Sequence, residues 1–153
     1  MDQSTLTAAL ISSAFLTPET LSPSVDGFRL SKGVNINCNC TFLDTCPITI
    51  GSRILIRPNC SFHSATHPVD SCLRNGISGP KLGAPIMMGG NFWLGGNAFV
   101  YRGITIGRCA MIGAGRVITK NVLDFCVVAG NPARILKKIE PNKQNLELAK
   151  SDG

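Results

Sequence analysis

Aliphatic residues return at every sixth position through the second half of the chain. From Met88 they fall at Leu94, Val100, Ile106, Ile112 and Ile118 without a skip. A companion set two residues earlier runs Ile86, Phe92, Ala98, Ile104 and Ala110. Glycine follows the main position at Gly89, Gly95, Gly107 and Gly113. The beat also appears earlier at Ile50, Ile56 and Phe62, with Leu30, Ile36, Phe42, Ile48 and Ile54 as the companion series. This period is neither the 3.6 of an amphipathic helix nor the 2 of a half-buried strand. It describes one flat side of a β-solenoid, in which a short strand ends at a corner and its inward side chain stacks on counterparts one coil away. The pattern therefore predicts an all-β, single-domain coil over residues 30–139.

The register also shows where the coil is interrupted. Phe62 and Met88 lie 26 residues apart, which is not a multiple of six, so part of residues 63–87 must leave the coil. Long irregular segments in compact domains commonly carry function. This one opens on "SATHPVD", which holds His67, one of only two histidines in 153 residues. Pro68 restricts the backbone at His67 to extended conformations and so stiffens its presentation. Residues 1–29 are expected to be an arm or a short helix. Their apolar stretch, Ala8 to Leu16, has no preceding cation and is too short to span a bilayer. Residues 134–150 are expected to form a short C-terminal helix and tail, the tail proper being 140–153.

Composition narrows the function classes. Hydrophobic residues make up 44% and charged residues 16%, as in a packed globular domain. A net charge of +6 suits an anionic ligand. With one Trp, one Tyr and no long basic run, the chain has neither a stacking platform nor a basic stripe, so no nucleic-acid partner is expected. The seven cysteines are odd in number and lie mostly in apolar runs without C-x-x-C, which reads as reduced side chains in a cytoplasmic setting. Cys60, His63, His67 and Cys72 have the residue types of a zinc site. Part of that set falls on an expected strand, whose side chains need not converge, so no metal is expected.

The linked stretches "NCTFLDTCPITIG", "ATHPVD", "FWLGGNAFVYRGITIG" and "MIGAGRVITKNVLDFCVVAGNPARILKKI" closely resemble the hexapeptide-repeat O-acetyltransferases of the maltose and galactoside acetyltransferase type. The resemblance covers roughly residues 33–139. It implies a left-handed parallel β-helix, a homotrimer with sites between subunits, acetyl-CoA as donor and a small-molecule hydroxyl as acceptor. Residue by residue, it gives His67 the role of general base, a duty imidazole suits because it titrates near neutral pH. Asn37 corresponds to a polar residue aimed at the acceptor hydroxyl, and the Gly96 amide to an oxyanion donor. Asp44 and Trp93 match positions lining the acceptor end. Ala114, Thr119, Lys120, Arg134 and Lys137 match the groove for pantetheine, adenine and phosphates.

The chain also departs from that family. Only about 30 residues precede the first coil, and Lys81 in "GPKLGAP" stands where many relatives carry a glutamate. An acid lost near His67 leaves the ring without that orienting partner, or reshapes the pocket for an anionic substrate. Two other readings therefore stand beside O-acetyl transfer. One is a repurposed small-molecule enzyme using the His67 cleft without CoA, and the other is a non-catalytic trimeric scaffold.

Overall fold

A computed structural model describes residues 8–11, 27–76, 78–140 and 142. Three parallel sheets take the strands in rotation and so form a three-sided coil. The first face stacks Phe28–Leu30, Ile48–Ile50, Ile86–Met88 and Thr105–Ile106. The second stacks Asn35–Ile36, Leu55–Ile56, Trp93–Leu94, Met111–Ile112 and Cys126–Ala129. The third stacks Cys40–Leu43, Ser61–His63, Phe99–Val100 and Val117–Ile118. The only helix among the described residues is Ser71–Arg74.

The six-residue beat becomes columns of buried side chains. Ile50 is in register with Met88 and Met88 with Ile106; Ile56 with Leu94 and Leu94 with Ile112; Phe62 with Val100 and Val100 with Ile118. All of these are buried. Each fully buried aliphatic side chain contributes about 1.5–3 kcal/mol relative to exposure. The rings of Phe42 and Phe62 stack at 4.6 Å, adding an aromatic contact within the third column.

One detail corrects the sequence register. Leu30, Ile36 and Phe42 pair with Ile50, Ile56 and Phe62, so they belong to the main columns and not to the companion series. The phase changes at the corner Asp44–Pro47, where the first turn of the coil is two residues longer than the 18-residue spacing of Met88 and Ile106. The corners explain the asparagines. Asn39, Asn59, Asn97 and Gly115 all hold positive φ at the corner between the second and third faces. Asparagine and glycine tolerate that left-handed conformation better than other residues.

Both ends differ from expectation. Ala8–Ile11 forms a strand, antiparallel to Cys40–Leu43, where the sequence suggested an arm or a helical turn. The expected C-terminal helix is also corrected, because Arg134–Lys138 is a strand running antiparallel to Cys126–Ala129. Edge pairing satisfies its backbone groups against an existing sheet, which a short, fully exposed helix with no apolar face to bury would not match. Of the tail 140–153, only Glu140 and Asn142 lie within the described residues.

Candidate functional site

The interruption is a built excursion rather than a plain loop. It leaves the coil after His63 and rejoins it at Ile86. Ser64 anchors its exit. Fully buried, its hydroxyl donates to the Leu43 carbonyl at 2.8 Å and accepts from the Cys46 amide at 2.8 Å. The Ala84 amide returns to the Ser64 carbonyl at 2.9 Å, tying re-entry to exit. Between them Ala65–Thr66 pairs antiparallel with Leu82–Gly83. A side chain at position 83 would collide with the Cys46 sulfur, so only glycine lets this hairpin lie on the corner below.

That hairpin orders the candidate catalytic residues. Ala65 faces Gly83 and Thr66 faces Leu82, which puts His67 and Lys81 just beyond the last pair, at the same end of the hairpin. His67 is exposed and Pro68 buried, which fixes the backbone beneath the ring. Asp70 caps the short helix by accepting from the Cys72 amide at 2.8 Å. Arg74 folds back and donates through Nη1 to the carbonyls of Pro68 (3.1 Å) and Val69 (3.3 Å). Asp44 lies at the same edge of the prism one coil earlier, half-buried, its carboxylate filling the space beside Gly27.

The remaining candidates fall elsewhere. Asn37, Gly96 and Ala114 occupy the corner between the second and third faces. The Asn37 side-chain oxygen accepts from the Cys38 amide at 2.8 Å, so part of its polarity is engaged in its own turn. No described residue accepts from the Gly96 amide, which leaves an N–H at this edge free to donate. Gly95 beside it packs so closely on the backbone of Gly113 and Ala114 that no side chain fits there. Trp93 points out from the second face, half-buried between Leu55 and Met111. In a three-sided coil that face lies across the prism from the edge carrying His67. One chain therefore does not bring Trp93, Asn37 and Gly96 to His67.

Thr119, Lys120 and Arg134 do come together. They line a cavity of about 460 Å³ with Asn121, Val122, Val128, Pro132, Ala133 and Ile135, between the last coil and the C-terminal strand. Its apolar floor and two cations suit a ligand with both a flat apolar part and phosphates. Ala114 and Lys137 are not in its wall. Lys137 lies farther along the strand, opposite Val127, because the segment is extended and not the helix that would have gathered Arg134 and Lys137 on one face.

The second histidine sits differently. His63 packs its ring on Phe99 at 4.3 Å, and burial pushes its imidazole below the ordinary value of 6.5. The zinc-like set does not gather either. Cys60 points into the core, where its hydrogen bond with Cys40 and then burial push its thiol up, while His67 and Cys72 are exposed. Among the described residues no three metal-ligating side chains converge, and no helix is long and apolar enough to cross a membrane. Sequence reading missed Ser64 and Arg74. Ser64 stands off the beat, whose last main step before the break is Phe62, and so gave no signal in the sequence.

Comparison with known proteins agrees with this geometry. No family model matches the chain. A candidate acetyltransferase of Schizosaccharomyces pombe is 38% identical over 142 residues, covering 87% of this chain and 68% of that protein. A hexapeptide-repeat acetyltransferase of Vibrio cholerae, solved with acetyl-CoA, superposes with a TM-score of 0.72 at 34% identity over 76% of this chain and 62% of its own. A maltose O-acetyltransferase of Clostridium difficile gives 0.66 at 40% identity over 76% of this chain and 65% of its own. The chain thus spans about two thirds of the length of these relatives.

Proposed function

The chain belongs to the hexapeptide-repeat acetyltransferases, and on that footing we propose that it is an acetyl-CoA-dependent O-acetyltransferase acting on a small hydroxylated acceptor. The coil is then the left-handed β-helix of that family. The observation carrying the donor assignment is the basic cavity, where Lys120 and Arg134 meet beside Thr119 over an apolar floor. Acetyl-CoA supplies an activated acetyl thioester. Lys120 and Arg134 pair with its phosphates by charge-assisted hydrogen bonds, and Ala114, outside that cavity and packed one coil on from Gly95, leaves room for the pantetheine arm at its own corner. Lys137 adds charge at the outer rim.

His67 acts at the acceptor. Its neutral ring nitrogen accepts the hydroxyl proton as the oxygen attacks, because a protonated alcohol is a poor nucleophile. The free Gly96 amide donates to the thioester oxygen as negative charge develops there. Asn37 and Asp44 orient the acceptor and Trp93 walls its cleft.

These roles require a second copy, and surface chemistry supports one. The excursion exposes Val69, Leu73 and Leu82, with Val69 96% exposed. Across the prism, Leu55 and Met111 flank Trp93 on the second face. Two unlike apolar patches on opposite sides make a head-to-tail contact, which closes into a ring. A homotrimer with three shared sites is the resulting assembly.

Calorimetric titration with acetyl-CoA, followed by thiol release on a panel of sugars and other polyols, tests this reading. Saturable binding and acceptor-dependent release are expected. No heat with acetyl-CoA, and no release above hydrolysis, would contradict it.

A further inference from the structure

Lys81 directly precedes Leu82, whose hairpin partner Thr66 directly precedes His67, and Arg74 donates to the carbonyl of Pro68, the residue that follows His67. From this juxtaposition we propose that the acceptor is anionic, carrying a carboxylate or a phosphoryl group close to the hydroxyl that is acetylated. The inference rests on the acetyl-transfer reading and narrows its acceptor.

The argument is one of charge and reach. His67 and Lys81 continue the two strands of that hairpin past the last pair, Thr66 and Leu82, and so leave it at the same end; the long lysine side chain can carry its ammonium to the space in front of the imidazole. Arg74 uses only Nη1 on the Pro68 and Val69 carbonyls, and no described residue accepts from the remaining donors of its fork. The excursion from Ser64 to Pro85 has a single acid, Asp70, whose carboxylate caps the short helix. One coil onward along the same edge Arg102 occupies the corner, beside Gly103 whose amide binds Ala84 at 3.2 Å. Among the described residues the nearest other acid at this edge is Asp44, one coil earlier. Lys81 and Arg74 are exposed in the single chain; in the shared-site assembly proposed above, a neutral acceptor would leave both covered without a counter-charge, which is costly. An anionic group about 5 Å from the hydroxyl would satisfy both and hold that hydroxyl on the imidazole. Lys120 and Arg134 are not part of this argument, since they line the separate donor cavity.

The test uses matched acceptors on the full chain: a free hexose, the corresponding hexuronate and the hexose phosphate. For each, kcat/KM is measured by thiol release, and binding is measured by calorimetry without acetyl-CoA. At least one anionic member should exceed the hexose by roughly ten-fold or more, the preference shrinking with salt. The hexuronate and phosphate arms tell which anion is read. In Lys81→Gln the ratio of anionic to neutral kcat/KM should collapse, and Lys81→Arg should keep it. Equal kcat/KM for neutral and anionic acceptors, or a ratio unmoved in Lys81→Gln, overturns the inference while leaving acetyl transfer intact. Absence of acetyl-CoA binding would instead strike down the reading beneath it, and this inference with it.

Discussion

Replacing Ser64 with alanine tests how the fold holds its catalytic loop. The hydroxyl is fully buried and makes two 2.8 Å bonds. Its acceptor, the Leu43 carbonyl, also receives the Ser64 amide at 3.0 Å, so it keeps a partner in the variant. The Cys46 amide does not, because the Ser64 oxygen is its only acceptor among the described residues. Stranding a buried donor costs about 1–3 kcal/mol. The vacated volume is less than a water needs, so no solvent molecule repairs the loss in place. Ser64→Ala should therefore lower unfolding free energy by about 1–3 kcal/mol in urea with an unchanged m-value. Ser61→Ala, three residues earlier on the outward side of the coil, should cost under about 0.5 kcal/mol. Because Cys46 supports Gly83 and the hairpin carrying His67, kcat should fall while the KM for acetyl-CoA stays put. A Ser64→Ala variant as stable as Ser61→Ala, with full kcat, would refute the anchoring argument.

Three further outcomes follow from the same geometry. His63 has a folded-state pKa depressed below its unfolded 6.5 by burial, so its contribution to stability is complete above that pH and is lost as pH falls through the folded value. Urea midpoints from pH 8 down to 5.5 should drop more steeply in the wild type than in His63→Phe, and equal slopes would contradict this. The double variant Lys120→Ala, Arg134→Ala should bind CoA at least ten-fold more weakly, with a flatter salt dependence by calorimetry; unchanged affinity would remove the cavity from the donor site. Mixing inactive His67→Ala chains with inactive Trp93→Ala chains, after reversible dissociation, should restore about a quarter of wild-type activity, as expected if each site takes one residue from either copy of a ring. No recovery in verified mixed oligomers would count against shared sites.

Much of this was legible along the chain because the solenoid is nearly one-dimensional. Each inward position repeats in a fixed environment, so Met88 to Ile118 could be assigned by counting. The count failed at Asp44–Pro47, where two added residues restore the same columns in a new phase; an aliphatic-rich stretch hides such a slip. It failed again at Arg134–Lys138, whose basic, alternating-free composition reads as helix although an open sheet edge claims it. Thr119, Lys120 and Arg134, assigned to the donor by resemblance, meet in one cavity. The acceptor residues could not be assembled from one chain, since Trp93 and His67 sit on opposite sides of the prism. Ser64 was passed over because a serine between His63 and Ala65 carries no local sign that its hydroxyl bridges two coils.

The central claim is that His67 is the base for acetyl transfer, and its most direct test is steady-state kinetics of His67→Ala beside His63→Ala. With a demonstrated hydroxyl acceptor, His67→Ala should lose about 10²–10⁴-fold in kcat while the acetyl-CoA KM and calorimetric affinity stay nearly constant. The His63→Ala variant, altered on the same excursion's threshold but outside the cleft, should retain most of its turnover. Full activity in His67→Ala would contradict the account.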